Sequence, residues 1–592
     1  MRFKLKYLRN LSLSIITSFL ITSCSMDYQK IRENFVLIES NPYLKVDQNK
    51  KMVDDNFQVS FLLSIPKNAQ ILSINFNNYH LNTLNNPKDD NQFLKLDLFD
   101  VFYDLYLVID VKYYHQQIEY DLNGGYNINT NSKENIIQNV DNIHFQTNTI
   151  IANEIRKENH TLIGLENEFI FSSLGGRIKY SDNLKLKLVY RENSPQSLFS
   201  YKVTNNSAQI TNYYGSEESL VIPEFIDEFK VTKIMANSFK NLVLKELILP
   251  PSIIEIEDNA FINLIVDNLY FFDTLKIVND LSFSATKFKK IHLNTATKPV
   301  FSGTYFDTFT DKMDRLILNK DKPQIVFGGG SAQRFGLDSK LINQNFKDYQ
   351  VSNLGVFAYA NMKTQYDTIF NYLKSGDTLV IAPEFDAIKE QISFSTSFPV
   401  DYFKMIEGNY NLLTDLPIEE YTHFFLAYQE YKTLKDSLVP KDYSVFAYFF
   451  DEDNNFLGER TYNDYGDYIV DRPNNIEEKV FGIKRASYNK DDFPLSYLVN
   501  FNTYFQKFID KGIKLYFDYA PRSKISLTPS SNAQSIKELD LYLRENLLIP
   551  FVTSIDDSLL SPLYFYNTDN HLSTEGVKIR TEKLIKNLKV YL

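Results

Sequence analysis

A 22-residue repeat in the middle of the chain constrains its fold more than any other feature. Phe239, Phe261 and Phe283 are spaced by 22 residues, and the same interval separates two further apolar series. These series are Leu247, Leu269 and Ile291, and Leu249, Phe271 and Leu293. A single unit is too short to bury its own apolar face, so neighbouring units are expected to stack into a solenoid with the Phe side chains inside.

The text of these units resembles the BspA-type leucine-rich repeats of bacterial surface proteins. The matching stretches are residues 230–234, 237–239, 249–253 and 258–261. The resemblance implies a repeat domain at 200–318 with about three full units, an atypical first unit at 210–223 and a degenerate last one at 305–318. So short an array either binds a protein partner on its concave face or spaces two domains. The sequence favours the spacer, because no stripe of aromatic or charged residues indicates a ligand.

Strand-like and helix-like segments alternate from Pro323 to the end of the chain. Strands are predicted at 325–327, 349–354, 378–382, 514–519 and 551–552. Helices are predicted near 339–346, 366–373, 498–508, 536–543 and 577–588. Such alternation predicts a mostly parallel sheet with helices on both faces, and a site outside the carboxyl ends of the strands.

The first of these strands runs into Gly328, Gly329, Gly330 and Ser331. A strand that ends in glycines and a serine lifts the hydroxyl onto the edge of the sheet, where a nucleophile has to lie. Gly355 and Glu384 follow the next two predicted strands, so they are expected at the same edge. The alternative for Ser331 is a helix N-cap in an ordinary turn.

A serine nucleophile needs a base, and two histidines fall in this part of the chain. His423 lies in an apolar segment that reads as an amphipathic helix, which indicates a structural role. His571 lies in a loop before the last helix, two residues after Asp569. If the loop is extended, residues two apart point to the same side, so Asp569 can share a face with His571. The alternative is a polar turn before a helix.

Four blocks in this region resemble the SGNH (GDSL-like) hydrolase superfamily, and especially its exported acyltransferase-like members similar to the DltD and alginate O-acetylation proteins. The blocks are residues 327–339, 353–356, 376–384 and 569–576. The resemblance covers about 270 residues, and it implies an α/β/α flavodoxin-like domain at 322–592 with a parallel sheet. It also implies that Ser331 is the nucleophile, His571 the base and Asp569 its partner, with the backbone N–H groups of Ser331 and Gly355 as oxyanion donors.

The chain departs from the superfamily pattern at two positions. The usual acid precedes the histidine by three residues, which is Thr568 here, and Asn567 one residue earlier is no substitute for a carboxylate. Glu384 stands near the place where many members have an Asn that donates to the oxyanion, which a carboxylate does only when protonated. Glu384 and Arg334 are the candidate site-lining residues.

The first 195 residues predict a signal peptide and a β-rich module. A basic start, a short apolar run from 11 to 20 and residues 21–24 (Ile-Thr-Ser-Cys) describe a signal peptide at 1–23 and resemble a bacterial lipobox. The resemblance implies lipid on Cys24, and the alternative is a plain signal with an incidental cysteine. Alternating apolar residues at 57–63 and 105–111 predict an all-β module at 24–195. The chain is therefore expected to be a multidomain α+β protein that is extracytoplasmic and lipid-anchored to the cell membrane.

Composition excludes some classes of partner. A net charge of −11 without a basic cluster beyond the signal argues against nucleic acid. The histidines lack metal-ligand spacing, so neither a metal nor another cofactor is expected. Two functions follow: a serine esterase or O-acyltransferase acting on acyl groups of a surface polysaccharide, or a non-catalytic surface binding or adhesion lipoprotein that uses the repeats.

Overall fold

The computed structural model describes residues 34–592 except 39–44, 66–68, 77–78, 83–91, 100, 102–103, 114–115, 141–144, 149, 180–183, 302–305, 307, 358–359, 385–393, 439–460 and 482–484. The predicted signal peptide and Cys24 lie outside the described residues. The chain folds into two compact units. The first comprises 1–121, 135–146 and 179–186, and the second comprises 122–134, 147–178 and 187–592.

The described residues ahead of the repeats form short strands. They are β1 (Phe35–Ile38), β2 (Lys45–Val46), β3 (Lys50–Met52), β4 (Val59–Ile65), β5 (Ala69–Phe76), β6 (Tyr79–Asn82), β7 (Gln92–Leu98), β8 (Leu105–Tyr113), β9 (Gln116–Asp121), β10 (Tyr126–Asn127), β11 (Ile136–Val140), β12 (Phe145–Thr147), β13 (Ile155–Arg156), β14 (His160–Glu166), β15 (Phe171–Ser172), β16 (Arg177–Lys179) and β17 (Leu184–Glu192).

Two sheets share a core in the first unit. One has the order β3-β1-β8-β5-β6 and the other the order β2-β4-β7. Alternate residues of both sheets enter one apolar cluster, among them Ile38, Ile71, Phe61 and Leu96. This unit is rich in β-structure, as the alternating sequence predicts.

The repeats form a stack in which the strands of successive units pair in parallel. Their strands are β18 (Phe199–Thr204), β19 (Ser207–Tyr213), β20 (Ser219–Val221), β21 (Phe225–Ile226), β22 (Phe229–Ile234), β23 (Val243–Ile248), β24 (Glu255–Ile256), β25 (Ile265–Phe272) and β26 (Lys287–Asn294). The four-stranded parallel sheet β20-β23-β25-β26, called the long sheet below, pairs Leu247 with Leu269 and Leu269 with Ile291. The predicted 22-residue repeat is thus confirmed, because residues 22 apart in the sequence are paired on neighbouring strands.

Aromatic rings fill the stack as predicted. Phe239 lies on Phe261 with ring centroids 5.0 Å apart, and Phe261 lies on Phe283 at the same distance, nearly parallel at 6°. All three side chains are buried. Each ring therefore excludes water from the next, and the units cannot separate without exposing aromatic surface.

Asparagines turn the chain at equivalent points of successive units. Asn237 and Asn259 have φ of 61° and 60°, and Asn241 and Asn263 have φ of 60° and 58°. These angles lie in the left-handed region, which asparagine tolerates better than most residues. Asn263 Nδ2 also donates to Asn241 Oδ1 at 2.9 Å, so the turns are linked along the stack.

Other parts of the second unit cover the repeats. Ile248 and Tyr270 on the long sheet pack with Ile163 of β14 and Val189 of β17 in one buried cluster. Part of the outer sheet face is therefore closed to a partner. The last residues of the repeat region, 308–318, form a helix whose buried residues include Phe309, Met313 and Leu316.

The remaining residues contain the helices and a second parallel sheet. In the described residues the helices are α1 (Thr308–Leu318), α2 (Ser331–Arg334), α3 (Ser339–Asn345), α4 (Met362–Phe370), α5 (Val400–Ile406), α6 (Asn411–Thr414), α7 (Phe424–Ser437), α8 (Leu495–Asp510), α9 (Ala533–Asn546), α10 (Ile555–Ser558) and α11 (Thr574–Leu588). The strands are β27 (Gln324–Gly329), β28 (Gln350–Asn353), β29 (Thr378–Ala382), β30 (Lys514–Phe517), β31 (Arg522–Ser523) and β32 (Leu559–Leu560).

The strand order β28-β27-β29-β30 is parallel throughout. Phe327 and Val380 face a cluster that includes Leu584 of α11, whereas Val326 and Leu379 face the cluster that includes Phe505 of α8. Helices thus cover both faces, as the alternation predicts. The strand that follows β27 in the chain, β28, pairs with one edge of β27, and the next strand, β29, pairs with the other edge. The strand order thus reverses at β27, and ligands bind outside the carboxyl ends of the strands at such a switch point.

His423 lies at the start of a helix and not within it, where the sequence predicts it to be. It stands directly before helix α7 with a left-handed φ of 60°, rather than within the helix. Its Nδ1 lies 3.0 Å from Asp280 Oδ2. In the first turn of α7, the ring of Phe425 stacks on that of Phe283 with centroids 4.2 Å apart. This helix therefore covers the end of the aromatic stack.

Candidate active site

Ser331 lies at the carboxyl end of β27, where the glycines bring it against the next strand. Gly329 has φ of 156°, and a Cβ there would lie 2.3 Å from the carbonyl oxygen of Ala382 on β29. Only glycine fits so close an approach. Ser331 then begins helix α2 and is buried, and its Oγ donates to Glu384 Oε1 at 3.2 Å.

Glu384 follows β29 and joins three segments of the site. It is 1% exposed. Its Oε1 also accepts the backbone N–H of Ala332 at 2.6 Å, and its Oε2 accepts from Asn570 Nδ2 at 2.9 Å. The structure therefore places a buried carboxylate between Ser331 and the loop that carries His571. A carboxylate at the first N–H groups of a helix is also favoured by the helix dipole.

His571 lies in that loop with its ring against Phe335, at a centroid distance of 4.3 Å. Its Nδ1 is 3.0 Å from Asn567 Oδ1. Because an amide oxygen only accepts, Nδ1 is assigned the proton and Nε2 the lone pair. Burial, followed by the nearby cations Arg334 and Arg472, lowers the pKa of His571 to about 3. The ring is therefore neutral at physiological pH.

Asp569 and His571 bind different partners. Asp569 Oδ1 accepts the backbone N–H of Phe481 at 3.1 Å, and the Asp569 carbonyl accepts the N–H of Ser523 at 2.8 Å. Asp569 is buried, and it ties together the backbone on both sides of the loop. The group on His571 Nδ1 is the amide of Asn567, four residues before the histidine.

Gly355 lies against Gln333 and Arg334 of α2, but its N–H already donates a hydrogen bond. It donates to Asn353 Oδ1 at 2.9 Å, and Asn353 Nδ2 donates in turn to the carbonyl of Gln333 at 3.1 Å. A Cβ on Gly355 would lie 2.5 Å from the backbone nitrogen of Arg334. Among the described residues, the N–H of Ser331 donates to no acceptor, so it can donate to a bound ligand.

Arg334, the last residue of α2, lies among aromatic rings. Its guanidinium is 4.6 Å from the centroid of Tyr462 and 5.3 Å from that of Phe335. Arg472 lies over Phe335 as well, at 5.7 Å. Both cations are buried, so they set the charge around His571.

Arg580 is a site residue that the sequence did not indicate. From α11 it donates through Nη1 to the carbonyls of Ala332 and Gly336, and through Nη2 to Gln333 Oε1 at 2.7 Å and Asp518 Oδ2 at 2.6 Å. It thus holds the short helix that begins with Ser331. The signal available in the sequence was a basic residue three positions after Val577, on the buried face of an amphipathic helix.

Comparison with known proteins identifies the repeats. Residues 210–318 match the family model described as BspA type Leucine rich repeat region, in six copies. The search of curated proteins and the search of solved structures each found no match. The chain therefore carries a BspA-type leucine-rich repeat region, as its sequence predicts.

In the part of the chain that the structure describes, no three His, Cys, Asp or Glu side chains are grouped so that they could hold a metal ion. None of the helices described has the length and apolar character needed to cross a membrane.

Proposed function

We propose that residues 322–592 are a serine esterase or O-acyltransferase domain of the SGNH type, with Ser331 as the nucleophile. The observation that carries this proposal is the hydrogen bond from Ser331 Oγ to the buried carboxylate of Glu384, at the switch point of a parallel sheet. A serine hydroxyl becomes a nucleophile when a neighbouring group can take its proton. The free N–H of Ser331 at the start of α2 supplies a donor for the oxyanion.

The substrate class in this proposal is an acyl ester of a surface polysaccharide. Lipid on Cys24 would hold the domain at the outer side of the cell membrane, where such glycans lie. An acyl group on Ser331 passes to water in an esterase and to a glycan hydroxyl in a transferase. The repeats then act as a spacer, which fits the packing of β14 and β17 on their outer face.

Hydrolysis of a chromogenic acyl ester by the full chain without its signal tests the proposal. We expect Ser331-dependent turnover, with kcat/KM at least about 10³-fold lower in Ser331→Ala, because oxyanion and binding contributions alone remain. Ser352→Ala is the matched control, since Ser352 is a fully buried serine of β28 whose hydroxyl has no hydrogen-bond partner among the described residues. Turnover that survives in Ser331→Ala would remove Ser331 from the mechanism.

A second candidate function is surface binding or adhesion through the repeats. It is favoured by the match of residues 210–318 to a repeat family that is associated with surface proteins. At the start of the strands of the long sheet, a row of side chains is exposed to solvent. In this row Val243 pairs with Ile265, and Ile265 pairs with Lys287. Binding of a surface ligand that is lost in Val243→Asp and kept in Ser331→Ala would favour this function.

A further inference from the structure

The group bonded to Ser331 differs from the group that the sequence assigns as its base. Among the described residues, the hydroxyl of Ser331 has one hydrogen-bond partner, Glu384 Oε1, and it makes no hydrogen bond to His571. Both Ser331 and Glu384 are shielded from solvent, at 5% and 1% exposure. The bond between them is therefore not replaced by bulk water.

Glu384 is also held in a fixed position. Its Oε1 is bonded to the N–H of Ala332 and its Oε2 to Asn570. Gly330 lies so close that a Cβ there would be 2.6 Å from both Glu384 Cγ and Oε1. A carboxylate anchored at both oxygens presents one of them to the hydroxyl without losing rotamer freedom during the reaction.

Asp367, another buried carboxylate of the domain, provides a comparison for Glu384. Asp367 receives Lys363 and Lys507 as ion pairs, together with the hydroxyls of Tyr421 and Tyr504. Two cations on one carboxylate hold its charge, and the pKa of Asp367 is lowered against the effect of burial. Glu384 differs from Asp367 in that one of its donors is the hydroxyl of a serine at the carboxyl end of a strand.

His571 is poorly placed to accept a proton. The group behind its Nδ1 is the neutral amide of Asn567, which cannot stabilise an imidazolium as a carboxylate would. Burial and the cations Arg334 and Arg472 act in the same direction, because they disfavour a second positive charge.

We propose that Glu384 is the general base for Ser331, a catalytic role that rests on the acyl chemistry proposed above. As Ser331 Oγ forms its bond to the ester carbonyl carbon, its proton passes to Glu384 Oε1 and the carbonyl electron pair moves to oxygen. When the tetrahedral intermediate collapses, the leaving alcohol takes that proton and the acyl group stays on Ser331. In the second half, water or a glycan hydroxyl gives its proton to Glu384 and attacks the acyl carbon, and Ser331 is reprotonated as it leaves.

The test measures the acylation rate from the pre-steady-state release of p-nitrophenol from p-nitrophenyl acetate. Wild type, Glu384→Gln, His571→Gln and Ser331→Ala are compared as full chains without the signal. A general base contributes about 10²–10⁴-fold. We therefore expect acylation to fall by that factor in Glu384→Gln and by less than about tenfold in His571→Gln.

A chemical rescue separates a base from a structural support. In Glu384→Ala, added formate can enter the space of the lost carboxylate and take the proton, so acylation should recover at least about tenfold with saturation. Formate should have no effect on His571→Gln. Thermal unfolding of each variant shows whether the domain is folded.

The outcomes distinguish the two proposals. Release that depends on Ser331 but stays within about tenfold of wild type in Glu384→Gln overturns the role of Glu384 and leaves the nucleophile in place. A loss in His571→Gln as large as that in Glu384→Gln, or a folded Glu384→Ala that formate does not rescue, also overturns it. Release that is equal in wild type and Ser331→Ala overturns the acyl chemistry itself.

Discussion

The repeats and the candidate site at Ser331 are built in opposite ways. In the repeats each contact recurs every 22 residues, as in the steps from Phe239 to Phe261 and from Phe261 to Phe283. In the site each contact occurs once, and its partners come from distant parts of the chain: Ser331 and Glu384 are 53 residues apart, and Glu384 and Asn570 are 186 apart. The repeats therefore derive stability from many equivalent contacts, whereas the site depends on single hydrogen bonds.

The largest effect is expected where the redundant stack is interrupted. Phe261→Ala removes a fully buried ring that contacts rings on both sides, and it should lower the free energy of unfolding by about 3–5 kcal/mol. Denaturant unfolding followed by circular dichroism measures the change.

The matched control for that substitution is Phe169→Ala. Phe169 is 86% exposed in the same compact unit, so its loss should change stability by no more than about 0.5 kcal/mol. Equal effects of the two substitutions would show that the ring stack does not hold the repeats together.

A smaller effect, on activity, is expected from one methyl group added beside Glu384. Gly330→Ala leaves Ser331 and Glu384 in the sequence, but its Cβ would lie 2.6 Å from Glu384 Cγ and would displace the carboxylate. Acylation should slow by about 10²-fold, which corresponds to about 2.7 kcal/mol.

The control for Gly330→Ala is the same substitution in Glu384→Gln. If the methyl group acts through the carboxylate, it should add little to the loss already caused by Glu384→Gln. Losses that simply multiply would mean that Gly330 serves the site in another way.

The smallest effect compares two buried histidines, one in each region. Burial and the nearby Lys290 lower the pKa of His292 in the repeats to about 4, while the pKa of His571 falls to about 3. Below the ordinary histidine pKa of about 6.5, each ring binds a proton in the unfolded chain but stays neutral in the folded chain. The free energy of unfolding therefore decreases as the pH is lowered. The contribution of His571 is fully present above about pH 6.5 and is lost as the pH falls toward about 3.

Unfolding free energies at pH 7.5 and pH 5 test this comparison. Between these values wild type should lose about 1–2 kcal/mol more than His571→Gln does. His292→Gln should behave similarly, with its effect ending about one pH unit higher. Identical pH dependence in wild type and His571→Gln would show that the ring is not held neutral in the folded chain.

The sequence predicted the periodic parts of the molecule well for a physical reason. Spacing alone determines which residues share a face, so Leu247, Leu269 and Ile291 were expected to align, and they do. In the same way, the alternation of strands and helices placed Ser331, Gly355 and Glu384 at the ends of adjacent parallel strands.

The contacts of the site could not be obtained in this way. The side chain that contacts His571 Nδ1 is that of Asn567, because the loop is not extended. The N–H of Tyr566 donates to the carbonyl of His571, and the N–H of His571 donates to Thr568 Oγ1. Two residues four apart then meet, which the two-residue periodicity of an extended chain does not predict. Arg580 was missed because its four partners are brought together only by the tertiary fold.

Covalent labelling with a serine-directed fluorophosphonate shows whether Ser331 is a nucleophile. We expect one adduct per chain by intact mass spectrometry, located on Ser331 by peptide mapping and absent from Ser331→Ala. A wild-type chain that stays unlabelled, or an adduct of equal yield in Ser331→Ala, would show that Ser331 is not a nucleophile.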